Sequence, residues 1–165
     1  MFNTPQEEIA KNIKIIGIGN TLFSDEGVGV HLLSYIRDLI PETEHLEIIE
    51  GATDGIKLLQ PVEESDYLII LDAINSGKEP GTVITLQAEE IPKYFGLKVS
   101  VHQLGFHDVL NAALIRDSLP EKIIMFGVQP ESLELGLEVT DSVKKSMPTI
   151  VDLVVNQVKL WTENQ

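Results

Sequence analysis

Short apolar runs alternate along the chain with stretches whose apolar residues recur at helical spacing, which predicts strands alternating with helices. The predicted strands cover 13–16, 46–49, 67–71, 82–86 and 123–126. The run at 67–71 is the most hydrophobic of them. Because a strand covered on both faces is apolar throughout, we expect it at the centre of the sheet.

The predicted helices cover 28–40, 56–59, 100–114 and a C-terminal segment that is capped by Thr140 and reaches 158. Pro61 is expected to end the second helix, and Gly127 is expected to close the last strand. Pro148 removes one backbone donor from the last helix, so we expect a kink there rather than two helices.

The connection between the third and fourth strands is dense in turn-forming residues and too short for a helical crossover. The strand at 82–86 should therefore run antiparallel to a neighbour. The element order predicts an α/β fold, a three-layer α/β/α sandwich with a mostly parallel, mixed, twisted sheet of about five strands. A chain of 165 residues is expected to form one domain, 1–165, in which 1–12 is an N-terminal extension.

Charge and composition narrow the classes of function. Twelve Lys and Arg against 26 Asp and Glu give a net charge of −14, which repels phosphate and argues against a nucleic-acid partner. The chain has neither a signal pattern nor an apolar run long enough for a bilayer, so we expect a cytoplasmic protein without membrane association. It has no cysteine, so a bound metal must be held by His, Asp, Glu or water.

Three polar residues follow apolar runs or open predicted helices: Glu26, Asp72 and His102. The carboxyl ends of parallel strands converge on one crevice, so these side chains can meet there although they are distant in sequence. One imidazole and two carboxylates suit nickel, zinc or cadmium and leave coordination positions open. The sequence therefore predicts an open metal site.

Each of these residues also has a purely structural explanation. Glu26 could complement the positive end of the following helix, and Asp72 could cap a turn in the loop after it. His102 could simply be a residue at a helix start. Asp25, next to Glu26, could contact the metal ligands and orient them, or it could simply be a carboxylate at a helix start.

The glycine-rich first loop invites a dinucleotide-binding interpretation because Gly17 and Gly19 follow a strand. The third glycine of that fingerprint should lie three residues after Gly19, where the chain has Leu22. The sequence therefore does not predict nucleotide binding.

Five motifs, in order, resemble those of the hydrogenase maturation endopeptidase family. They are Gly17-Ile18-Gly19-Asn20, Asp25-Glu26-Gly27-Val28-Gly29, Asp72-Ala73 with Pro80-Gly81, His102-Gln103-Leu104-Gly105, and Gly127-Val128-Gln129-Pro130-Glu131-Ser132. The resemblance extends from about residue 13 to 158. It implies an enzyme that removes a C-terminal extension from the large-subunit precursor of a nickel-iron hydrogenase after nickel insertion.

By the same resemblance, the catalytic and metal-binding residues of the family fall on Glu26, Asp72 and His102. The metal implied is nickel, that of the substrate's own active site, for which zinc or cadmium can substitute in vitro. The family fold is a mixed sheet between helices. The His-Gln-Leu-Gly form is similar to the branch that serves uptake-type hydrogenases.

Two mechanisms and two other functions stay open at this point. The ion could polarise the scissile carbonyl or activate a water, or the three residues could recognise nickel so that only a loaded precursor is held for cleavage. The other functions are a nickel-dependent checkpoint module without peptidase activity and a small-molecule metallohydrolase. The sequence makes no prediction of the oligomeric state.

Overall fold

The structure, a computed structural model, describes residues 10–51, 55–91 and 105–163. The strands are β1 (Ile13–Gly17), β2 (Leu46–Glu50), β3 (Tyr67–Ala73), β4 (Val83–Gln87) and β5 (Lys122–Val128). The α-helices are α1 (Val28–Leu39), α2 (Leu59–Glu63), α3 (Phe106–Ile115) and α4 (Asp141–Glu163). Two 3-10 helices, Ser24–Gly27 and Gly55–Leu58, precede α1 and α2.

The strands form one sheet in the order β2-β1-β3-β5-β4. All pairs are parallel except β4, which runs antiparallel to β5 at the edge. The central position of β3 and the antiparallel direction of β4 are both confirmed. Every residue of β3 is buried, as its uninterrupted apolar run predicts.

Helices cover both faces of the sheet and bury two apolar cores. One core lies between the sheet and helices α1 and α4, and the other lies between the sheet and helices α2 and α3. Successive strand residues point to opposite faces, so Ile69 joins the first core and Ile70 joins the second. The three-layer α/β/α prediction is confirmed.

The predicted ends of the second helix and of the last strand are wrong. Pro61 is the third residue of α2, which continues to Glu63, because a proline in the first turn lacks only an N–H that has no partner within the helix. Gly127 lies inside β5, aligned with Asp72 of β3, rather than closing its strand. A Cβ at Gly127 would collide with the Asp72 carbonyl oxygen, so the close approach of the two strands requires glycine there.

The helix predicted from residue 100 begins at Phe106. Gly105 has extended backbone, with φ −72° and ψ 166°, and its N–H donates to Asp108 Oδ2 at 2.9 Å, so it is the N-cap of α3. Residues 92–104 lie outside the described part of the chain.

The C-terminal helix α4 is one continuous helix with Pro148 inside it, as predicted, while the kink stays a prediction. Thr140 precedes its first residue, Asp141, where the sequence places the cap. In the described segments, no helix has both the length and the hydropathy that crossing a membrane requires.

Candidate active site

The 3-10 helix Ser24–Gly27 and the start of α1 lie against the carboxyl ends of the central strands. This 3-10 helix contacts β3, and Ile18 N donates to Leu71 O at 2.8 Å just beyond β1. A Cβ at Gly29 would collide with the carbonyl oxygens of Leu71 and Ile18, so α1 can approach this closely only with glycine at that position. The loop predicted to carry the site is therefore fixed at the end of the sheet.

Glu26 is the third residue of this 3-10 helix and is half-buried. Its N–H donates to Phe23 O at 3.1 Å. Gly19 has φ +131°, and a Cβ there would collide with the Glu26 carbonyl oxygen. The first glycine-rich loop therefore serves to fit closely around the backbone of Glu26, a role that needs glycine's conformational freedom.

Asp72 is the sixth residue of β3 and is only 4% exposed. The sequence places it directly after the strand, whereas the structure includes it in the strand, aligned with Gly127 of β5. Its Oδ1 accepts from the Ala73 N–H at 2.8 Å. A buried carboxylate is costly unless hydrogen bonds or a cation compensate for its lost hydration, and the bond from the Ala73 N–H supplies part of that compensation.

The structure brings two of the three predicted ligands onto contacting elements. The 3-10 helix of Glu26 contacts the strand of Asp72, both at the carboxyl end of the sheet. His102 lies outside the described residues. Among residues 10–51, 55–91 and 105–163, no three His, Asp or Glu side chains are grouped to hold a metal ion. The complete three-residue site stays a prediction.

Asp25 has a role that the sequence analysis missed. Its carboxylate is fully buried, at 0% exposure, and receives four hydrogen bonds from three residues. The Glu131 and Ser132 N–H groups donate to Oδ2 at 2.9 and 3.1 Å, and Thr140 donates from both its N–H and its hydroxyl. Asp25 therefore fastens the 3-10 helix of Glu26 to the segment before α4.

No local pattern in the sequence could have revealed these partners, because they lie 106 to 115 positions away along the chain. Thr140 lies at the predicted cap position of α4, and its hydroxyl donates to Asp25 Oδ2 at 2.7 Å. Asp25 is thus bonded across the molecule, whereas both roles considered for it in the sequence were local.

Gln129 holds the loop that follows β3. Its side chain is buried, and Oε1 accepts from the N–H groups of Ser76 at 2.9 Å and Lys78 at 3.2 Å. Its Nε2 donates to Asn75 Oδ1 at 3.0 Å. The loop three residues beyond Asp72 is therefore ordered by a side chain from the end of β5.

Comparison with known proteins identifies the family. Residues 30–157 match the family model described as hydrogenase maturation protease. The hydrogenase expression/formation protein HupD of Rhizobium leguminosarum bv. viciae is 38% identical over 92% of this chain and 76% of its own length. The hydrogenase 2 maturation protease of Escherichia coli (strain K12) is 38% identical over 87% of this chain and 88% of its own.

The fold gives the same assignment. The solved structure of the hydrogenase maturating endopeptidase HybD from E. coli superimposes with a TM-score of 0.84 at 36% identity, covering 90% of this chain and 92% of that one. Sequence and fold thus agree over nearly the whole chain. The chain belongs to the hydrogenase maturation protease family, and it is a peptidase.

Proposed function

We propose that this peptidase removes the C-terminal extension of the large subunit of a nickel-iron hydrogenase after nickel has been inserted. In this proposal Glu26, Asp72 and His102 contact the nickel of the precursor. The observation that carries it is the placement of Glu26 and the buried Asp72 on contacting elements at the carboxyl end of the sheet. Crevices at this end of an open α/β sheet are where ligands bind.

The donor chemistry fits a nickel ion. Two carboxylates supply hard oxygen ligands and an imidazole supplies a borderline nitrogen, so the set suits nickel and leaves positions for ligands that the precursor provides. Zinc or cadmium would bind the same donors in vitro. A carboxylate as buried as Asp72, at 4% exposure, gains more from a nearby cation than one in water would.

We favour nickel as a recognition element rather than as the source of the attacking water. If Glu26, Asp72 and His102 bind nickel already held by the precursor, only a loaded precursor is positioned with its scissile bond in the cleft. This arrangement makes cleavage depend on nickel insertion without any separate sensor. The ordered surroundings of Glu26, fixed by the Asp25 carboxylate, suit a site that must hold a large substrate in one orientation.

The test is to incubate the purified protein with nickel-loaded and nickel-free precursor and to weigh the large subunit by mass spectrometry. We expect the loaded precursor to lose a C-terminal peptide and the nickel-free precursor to keep its mass. Binding of the loaded precursor without any loss of mass would instead identify a checkpoint module. Equal cleavage of both forms would contradict nickel recognition.

A further inference from the structure

Four exposed leucines lie on two backbone segments beside Glu26. We call them the leucine surface: Leu22, Leu133, Leu135 and Leu137, which are 54%, 46%, 79% and 70% exposed. Leu22 precedes the 3-10 helix of Glu26, and the other three alternate with Glu134 and Gly136 before α4. Single exposed leucines are ordinary, but four exposed leucines on two segments beside a candidate site are typical of a surface that contacts another protein.

Backbone hydrogen bonds join the two segments into one surface. Gly136 N–H donates to Leu22 O at 2.9 Å, and Ser24 N–H donates to Gly136 O at 2.8 Å. The Ser24 hydroxyl also donates to Glu134 O at 2.7 Å. The leucines therefore occupy fixed positions relative to Glu26, two residues after Ser24.

The buried Asp25 carboxylate strengthens this attachment. It accepts hydrogen bonds from the N–H groups of Glu131, Ser132 and Thr140. These donors lie on both sides of residues 133–137, the segment that carries three of the four leucines. A loop so anchored loses little conformational freedom when a partner binds, and that lowers the entropic cost of association.

Charge around the leucine surface distinguishes between possible partners. Glu131, Glu134 and Glu138 are exposed among the leucines, and the sequence from 129 to 141 contains no Lys or Arg. A symmetric dimer of this chain through the leucine surface would bring these carboxylates close to their own copies, which is repulsive. A different protein with Lys and Arg around an apolar patch would complement both features.

We propose that the leucine surface docks the folded body of the hydrogenase large-subunit precursor, through an apolar patch on that subunit bordered by Lys and Arg. This inference rests on the proposed function. It adds a second region of contact between this protein and the precursor, besides the nickel site. The precursor's C-terminal extension reaches Glu26 while its folded body binds Leu135 and Leu137 alongside. Recognition is thereby extended beyond the few residues around the scissile bond.

The test compares Leu135→Asp and Leu137→Asp with two matched controls, Leu39→Asp and Leu160→Asp. The control leucines are 60% and 54% exposed. Leu160 adjoins Trp161, whose ring centroid lies 5.1 Å from that of Tyr67 at the start of β3, so this control is at the opposite end of the sheet. Leu135→Ser is a milder replacement in case the aspartate variant does not fold.

Two methods measure the effect with purified nickel-loaded precursor. Surface plasmon resonance gives Kd for each variant in a Glu26→Gln background, and mass spectrometry gives kcat and KM in the otherwise unchanged protein. We expect Kd and KM to rise at least about tenfold in the Leu135 and Leu137 variants, with kcat within about twofold, because the surface contacts the body of the substrate rather than the reacting bond. The two control variants should remain within about twofold of the parent in Kd and KM.

The outcomes separate docking from catalysis. Normal processing by the parent protein together with unchanged Kd and KM in the leucine variants would overturn the docking proposal and leave the proposed function intact. Binding that requires Leu135, without any cleavage by the parent protein, would support docking and contradict the proposed function. Absence of precursor binding altogether, or a dimer in light scattering that Leu135→Asp disperses, would overturn docking.

The salt dependence of precursor binding tests the prediction that Lys and Arg border the apolar patch on the precursor, which we call the basic border. Raising NaCl from about 50 to about 500 mM should weaken precursor binding, since ions screen attraction between exposed charges. The double change Glu134→Gln and Glu138→Gln should reduce that dependence. An affinity that is insensitive to salt would contradict the basic border and with it the assigned partner chemistry.

Discussion

Asp25 and Thr140 are joined by two hydrogen bonds, one from the Thr140 N–H to Oδ1 and one from the Thr140 hydroxyl to Oδ2, each 2.7 Å long. The carboxylate is fully buried. The contact links the 3-10 helix that carries Glu26 to the residue before α4. It therefore couples the placement of a candidate nickel ligand to the packing of the longest helix described.

Replacing Asp25 by Asn should destabilise the protein by about 2–4 kcal/mol, because a neutral amide replaces a charged acceptor and turns a donor toward buried N–H groups. Thr140→Ser, which keeps the hydroxyl, should cost under about 1 kcal/mol. Urea unfolding measures both. Equal stability of the Asp25→Asn variant and the parent would show that the contact contributes little.

Glu26→Gln, Asp72→Asn and His102→Ala should each abolish processing of the precursor while leaving the circular dichroism spectrum unchanged. The first two changes remove the negative charge of a carboxylate ligand from the proposed nickel site, and the third removes the imidazole. Asp152→Asn in α4 and His45→Ala before β2 are matched surface controls and should process normally. Normal processing by all three site variants would show that the site is wrongly assigned.

Gln129→Leu should loosen the loop after β3, because the Ser76 and Lys78 N–H groups lose their acceptor. We expect at least about tenfold faster hydrogen exchange at these two amides, from local opening rather than global unfolding. Gln129→Glu keeps the acceptor oxygens and should protect both amides. Similar exchange in the two variants would contradict a role for Oε1.

Gly29→Ala should lower the free energy of unfolding by about 1–3 kcal/mol or more, because its Cβ would collide with the carbonyl oxygens of Leu71 and Ile18. The start of α1 would have to move away from the sheet. Ser34→Ala, an exposed change in the same helix, should stay within about 0.5 kcal/mol. Thermal or urea unfolding compares them, and a neutral Gly29→Ala would contradict the close approach.

Glu63 should titrate below its ordinary range, because the Ser118 hydroxyl and then the Arg116 guanidinium donate to its carboxylate and lower its pKa. A lowered folded-state pKa contributes stability that is present above the ordinary Glu pKa and is lost as pH falls through the folded value.

Ser118→Ala should therefore raise the pKa of Glu63 in an NMR titration and reduce the acid-dependent part of stability. The matched change Gln60→Ala should instead raise the pKa of Glu64, whose pKa is lowered first by Gln60 and then by Lys14. A shift of both carboxyls in either variant would argue against these separate local causes.

The layered architecture could be predicted from the pattern of apolar residues, because apolar periodicity is a local property of the chain. The run at 67–71 predicted the central strand, and the short turn-rich connection predicted the antiparallel edge strand β4. Strand and helix ends were less accurate. Pro61 lies within a first turn and Gly127 within a strand, and only the neighbouring elements determine whether such residues end a segment.

The candidate site likewise has features that could be predicted from the sequence and features that could not. The sequence selected Glu26 and Asp72 by their positions after apolar runs, and the motifs around them indicated the family. Three features depend on the packing of the elements: Asp25 is a buried anchor, Gln129 orders the loop beyond Asp72, and Leu22 is hydrogen-bonded through its backbone to Gly136, between Leu135 and Leu137. Hydrogen bonds between residues 50 to more than 100 positions apart depend on how the elements pack, and no local pattern in the chain encodes them.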